Sequence, residues 1–362
     1  MIVYLVTLVI SCCLAYQAER TGWRDERNKL HFNKRYVVIL IIFLCVVSGF
    51  RYMNYYQSDE YNYRQMVDAM KGIPFKINFG FEEEWISQML YWISANIFKS
   101  NQFLILIAAI ITNVSLVIFF SRHVKSLSLV IFLYIAGGAY FTSMNIIRQY
   151  MAVAIIVWCY DLARKKKLIL YFLLVILAAG IHQSAWLMLP MYFVLRKKRL
   201  DWSTVFIIAA TLFVFINFQT IMSAMLTTGS TYDHFLEDML SGGYGVKAIR
   251  ILVWLVPYSL LIIKFKYCEK KIGVDSSILF SALISSCIGI ISYKYVFFAR
   301  IDFYFSIPAL CGVSYVPDLF KEKSKRVVIM AMVILFFAFG CYQMQMFSTY
   351  HNILFEEISG VL

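Results

Sequence analysis

The sequence predicts an all-α, polytopic integral membrane protein of about 12 transmembrane helices, and three observations predict it. Of its 362 residues, 61% are hydrophobic and only 15% charged, with a mean hydropathy of +0.71. Soluble domains run at roughly 45–50% apolar and about 25% charged. Apolar runs of about 17–20 residues, the length a helix needs to cross the hydrocarbon core, recur along the whole chain. The cations stand in short clusters between those runs, the pattern of cytoplasmic loops. The chain 1–362 therefore reads as a single transmembrane domain, with short extramembrane helices in its outer loops 51–101 and 222–248.

The elements follow in order. Residues 1–18 lack a basic n-region and a small-x-small cleavage site, so they read as a retained span rather than a signal peptide. Further spans fall near 36–51, 102–120, 127–141, 146–163, 168–181, 183–195, 204–221, 249–266, 276–292, 301–316 and 326–344. The loops 19–35, 121–126, 164–167, 196–199, 264–271 and 321–326 hold most of the 34 Lys and Arg. Twelve spans place every one of these loops in the cytoplasm and both termini outside.

Two stretches set the register. Residues 85–98 are apolar enough to tempt a span, but 14 residues rise only about 21 Å as a helix, short of the roughly 30 Å core. They read as an amphipathic helix on the outer surface, with Trp85 and Trp92 as interfacial anchors. Residues 168–195 have basic blocks at both ends, RKKK before and RKKR after. A hairpin of two short helices turning at Ala179–Ser184 keeps both blocks inside and leaves the turn recessed within the membrane. A broken backbone at that depth is tolerated where it lines a protein or water cavity.

The net charge of +13 does not point to nucleic acid, because no soluble module is present to bind it. The eight cysteines form no C-x-x-C pair and no metal spacing with histidine, and read as small buried hydrophobes.

This topology gathers the unusual polar groups on the outer side. Ionisable residues at membrane depth are costly and mark function by default. Arg148 lies near the outer end of its span and His182 at the recessed turn. Arg51 closes a span, Asp59 and Glu60 follow in a Tyr-rich loop, and Arg300 opens a span with Asp302 two residues on. The run Glu82–Glu84 reads as a solvated helix start, since carboxylates suit a helix N-terminus. Several arginines around a cavity suit a phosphate or diphosphate, which guanidinium binds bidentately. Abundant Tyr and Trp suit sugar faces. The combination fits a lipid-diphosphate sugar.

Four landmarks in order carry a family resemblance: Gly49-Phe50-Arg51 followed by Ser58-Asp59-Glu60-Tyr61; Asn145 with Arg148, Gln149 and Ala152; the basic turn Arg164–Lys167 followed by Ala178 through Ser184 around His182 and Gln183; and Arg300 through Phe305, including Tyr304. On these the chain resembles the EpsG/Wzy-type bacterial polysaccharide polymerases of O-antigen, capsule and exopolysaccharide synthesis, relatives of GT-C-like membrane glycosyltransferases. Glu60 stands between Asp59 and Tyr61 where the family pattern runs Asp-Tyr.

The resemblance implies a metal-independent glycosyltransferase in the bacterial cytoplasmic (inner) membrane, with its active site facing the periplasm or exterior and no cofactor. It would transfer a growing glycan from undecaprenyl diphosphate onto a lipid-linked repeat unit. Its expected partners are lipid-linked donor and acceptor, the bilayer, a chain-length regulator and a flippase. In that reading His182, or Asp59 and Glu60, act on the acceptor hydroxyl. Arg148 and Arg300, with Arg51, bind the diphosphate. Asn145, Gln149, Gln183, Tyr61 and Tyr304 complete the substrate-binding set.

Three other readings stay open at this point. A GT-C transferase adding one sugar from a polyprenyl-phosphate donor would give single-sugar products. A lipid-linked oligosaccharide flippase or other transporter suits twelve spans, although no paired half-repeats or matched broken helices are visible. A membrane O-acyltransferase also uses an intramembrane histidine and would depend on acyl-CoA.

Overall fold

The computed structural model describes residues 2–26, 30–51, 59–76, 79, 83–202, 204–210, 213, 216–217 and 245–344. Nearly all of it is helix, as the composition requires of backbone in lipid. Ten helices run from the start: α1 Ile2–Arg20, α2 Lys34–Gly49, α3 Asp59–Ala69, α4 Trp85–Asn96, α5 Asn101–His123, α6 Leu127–Ala136, α7 Ala139–Asn145, α8 Ile147–Arg164, α9 Leu168–Ile181 and α10 Met188–Leu195. After them come α11 Ala248–Ile263, α12 Ser276–Ser292, α13 Phe297–Ile301, α14 Phe303–Val313 and α15 Glu322–Met344.

Three of these helices, α1, α5 and α15, are long and apolar enough to cross a membrane alone; five spans result if each of two bent pairs counts as one. The remaining apolar helices are shorter, so length and composition support a membrane protein but not by themselves a count of twelve. The first bent pair is α6 with α7, a single expected span broken by 51°. Gly138, at φ +85, makes that break, a backbone state open to glycine and costly for other residues. The second pair breaks by 70° between α11 and the turns at 265–272. Of the expected span 204–221, residues 204–210 are helical and most of the rest lies outside the described residues, as do 52–58, Glu82 and 222–244. One feature was not expected: a small antiparallel hairpin, Trp23–Arg24 with Leu30–His31, in the first basic loop.

The chain divides into two compact units, one of residues 1–193 and 320–362, the other of 194–319. In the first unit α5 packs on α2 and α8, α8 on α9, and α1 on α2 and α6. Its core is apolar and aromatic, with Phe119, Phe120, Tyr134, Tyr140 and Tyr150 fully buried. The short helices α3 and α4 pack on each other, and α4 also lies against α5 and α9. In the second unit α12 is the hub, contacting α11, α13 and α14.

The α4 helix departs from the expected interfacial role. It buries Ile86, Ser87, Leu90, Tyr91, Ser94 and Ala95 against the protein. Trp92 donates its indole N–H to the Ile73 carbonyl at 2.8 Å, which ties the loop after α3 to α4. Trp85 packs edge-on against Gly180 of α9. Both tryptophans therefore serve contacts within the protein.

Candidate functional site

The α9 helix ends because His182 leaves helical geometry, at φ −147 and ψ 117. A 3-10 turn, Gln183–Leu187, then leads into α10, which completes the short hairpin expected from the sequence. A helix start leaves backbone N–H groups without intrahelical partners. The N–H of Gln183 is one such donor, and it is taken at 3.1 Å by Oε1 of Glu84.

Glu84 is the residue the sequence reading placed wrongly. It stands at the N-terminal cap position of α4, where a carboxylate is expected to serve its own helix, yet its side chain makes no capping bond there. It reaches instead across to α8 and α9. One oxygen takes the Arg148 Nη1 donor in an ion pair. The other lies 3.0 Å from His182 Nδ1. The signal that would have found it is electrostatic: an arginine in the first turn of a helix opposes the macrodipole and needs an acid nearby. The acidic outer loop was the available source.

The three side chains are mostly buried: Glu84 is 14% exposed, Arg148 22% and His182 24%. Burial alone would raise the Glu84 carboxyl; contact with His182 and the charge of Arg148 outweigh it and hold the group below the ordinary carboxylate range. The His182 ring N–H is not aligned ideally on the carboxylate. A small ring rotation aligns it, and such bonds are often loose before substrate binds. Tyr63 of α3 lays its ring under the Arg148 guanidinium, 5.4 Å from centroid to Cζ.

Glu84, Arg148 and His182 form one wall of a cavity of about 640 Å3. Met66, Ala69 and Met70 of α3 supply an apolar side, and Glu83, Ser87, Gln88, Tyr91 and Gln183 complete the lining. That volume falls in the usual range of small-molecule sites. Ser87 fixes α4 to the end of α9, its hydroxyl donating to the Ile181 carbonyl at 2.7 Å.

The other expected residues are placed differently. Arg51 is 5% exposed and donates to the Ser48 and Met144 carbonyls. It thereby closes the C-terminal ends of α2 and α7, a common use of a cation at a helix end. Asn145 accepts the backbone N–H of Asp59 at 3.1 Å and so caps the start of α3. Gln149 is buried at 2%, and Tyr61 is 40% exposed. None of these lines the cavity. The Glu60 side chain lies outside the described residues. Arg300 and Tyr304 belong to the second unit, Arg300 exposed on α13 and Tyr304 fully buried on α14. Among the described residues, no group of three or more His, Cys, Asp or Glu converges as a metal site would.

Apolar helices, a broken hairpin and a buried Arg–Glu–His constellation on a cavity define a membrane protein with a built polar site. The chain belongs to the EpsG family, whose model matches residues 34–354, in agreement with the resemblance carried by its motifs. That membership points to polysaccharide biosynthesis. Searches of curated proteins and of solved structures find no match.

Proposed function

We propose that the protein polymerises a polysaccharide, transferring a growing glycan from undecaprenyl diphosphate onto a lipid-linked repeat unit at the outer face of the bacterial cytoplasmic membrane. The observation that carries this reading is the contact of His182 Nδ1 with Glu84 at 3.0 Å, on the cavity wall that Arg148 also lines. A carboxylate beside Nδ1 favours the tautomer with the proton on that nitrogen and leaves Nε2 as the acceptor. This is the orienting logic of a carboxylate–histidine pair.

In the proposed step the acceptor hydroxyl oxygen bonds to the anomeric carbon of the donor, and its proton passes to His182 Nε2. The bond from that carbon to the diphosphate oxygen breaks, and its electron pair leaves with the diphosphate. Arg148 stabilises the charge that develops there. Glu84 touches neither reactant; it is a positioning residue for both partners. The basic loops, read as cytoplasmic, support an outward-facing cavity, where the lipid-linked substrates would be presented. A flippase and a chain-length regulator are the partner proteins this reaction calls for.

The test is glycan sizing in a deletion strain complemented with His182→Ala or Arg148→Ala. Lipid-linked single units should accumulate and long chains should be absent. Full-length polymer from either variant at normal protein level would overturn the assignment. Purified protein that polymerises repeat units in detergent separates this activity from transport, and products longer than one added sugar separate it from a single-sugar transferase.

A further inference from the structure

We propose that the Tyr91 hydroxyl and the Arg148 Nε–H together form a two-donor cradle for one anionic oxygen, phosphoryl or carboxylate, on the wall of the Glu84 cavity. Tyr91 is 4% exposed and lines that cavity from α4. Its hydroxyl has no hydrogen-bond partner among the described residues, and neither has Arg148 Nε. Buried polar atoms are almost always paired, so an unpaired donor is a place where a partner is wanting. Both side chains line the one cavity, and a single ligand oxygen within reach of both would satisfy them.

The chemistry of the donors selects the ligand. Arginine nitrogens only donate, so the atom they meet must be an acceptor. Charge-assisted bonds favour an anionic oxygen over a neutral one. The guanidinium is already oriented: Nη1 faces Glu84, and the Tyr63 ring covers its face. Tyr91 and Tyr63 are both electrostatic neighbours of that charge. Because Glu84 balances Arg148, the cradle works through two directed hydrogen bonds rather than through net charge. It suits a single oxygen that gains charge more than a whole diphosphate held by ion pairing.

The phosphoryl source rests on the polymerase reading, in which the oxygen belongs to the departing diphosphate. The carboxylate source would be an acidic sugar in the repeat unit. Two variants remove the donors in turn. Tyr91→Phe removes only the hydroxyl. Arg148→Lys keeps a positive charge opposite Glu84 and removes the Nε–H. Binding of geranyl diphosphate and of glucuronate to the purified full-length protein is measured by calorimetric titration, with the melting temperature of each variant as a folding control.

Geranyl diphosphate should bind the wild type and bind either variant roughly ten- to hundredfold more weakly. If glucuronate alone shows that dependence, the cradle stands and its source is a carboxylate. If both probes bind all three proteins equally well, or neither binds the wild type, the cradle is overturned. A protein that binds diphosphate through Tyr91 but makes no polymer keeps the cradle and removes the polymerase reading.

Discussion

Gly180 meets Trp85 so closely that a Cβ on the glycine would lie 2.6 Å from both Cε2 and Nε1 of the indole. Trp85 directly follows Glu84, and Gly180 stands two residues before His182. The close approach of α4 to α9 at this point therefore sets how far the carboxylate reaches toward the imidazole. The missing side chain is a positioning device for the whole constellation.

Gly180→Ala tests this. The aromatic ring is rigid and cannot fold away, so the alanine must push α4 from α9. Overpacking of this kind costs about 1–3 kcal/mol. Polymer yield should fall much further than the amount of folded protein, measured by glycan sizing against membrane protein level. Full polymer from Gly180→Ala would show that the spacing is not needed.

Glu84→Gln keeps the shape of the side chain and removes its charge. Arg148 then sits mostly buried without its counter-ion, and His182 loses the carboxylate beside Nδ1. Loss of one partner of a buried pair costs up to about 3–5 kcal/mol, less here because both groups retain some solvent contact. Activity should drop to the level of His182→Ala. The double variant Glu84→Gln/His182→Ala should be no worse than either single one, as expected for residues acting as a unit. Additive losses would mean that Glu84 does not act through His182.

The Glu84 carboxyl is held below the ordinary range in the folded protein. A depressed carboxyl stabilises the fold above its unfolded value of about 4.3, and that stabilisation is lost as pH falls through the folded value. The difference in melting temperature between wild type and Glu84→Gln should thus shrink as pH falls below about 5. A gap that closes on going up in pH would contradict the ion pair.

Arg51→Ala should act on stability. Its guanidinium joins the Ser48 and Met144 carbonyls, so its removal leaves buried acceptors at the ends of two helices. The expected loss is about 2–4 kcal/mol, read as a lowered melting temperature in detergent. An unchanged melting temperature with lost polymer would instead give Arg51 the diphosphate role that its sequence position suggested.

The positions of the apolar helices were legible in the sequence, because the length and spacing of apolar runs are local properties. Helices α1, α2, α5, α8, α9, α11, α12 and α15 begin and end within a few residues of the expected spans. So was the short hairpin around His182, since two basic blocks flank a run too long for one span. Arg148 and His182 stood out for the same reason: each is a polar group in an apolar context.

Glu84 did not stand out, because an acid before an apolar helix has the same local pattern whether it caps that helix or reaches elsewhere. Its partners lie 64 and 98–99 positions along the chain, and only packing decides which it meets. Arg51 shows the converse, since a cation at a span end reads alike as a ligand or as a helix closure until the carbonyl of Met144 arrives from 93 residues away. The sequence by itself determined where helices form and which polar residues need partners, because hydrophobic length and desolvation cost are written locally. The tertiary structure decided which partners they find, because that depends on how closely α4 and α9 approach, and a glycine at position 180 sets that distance.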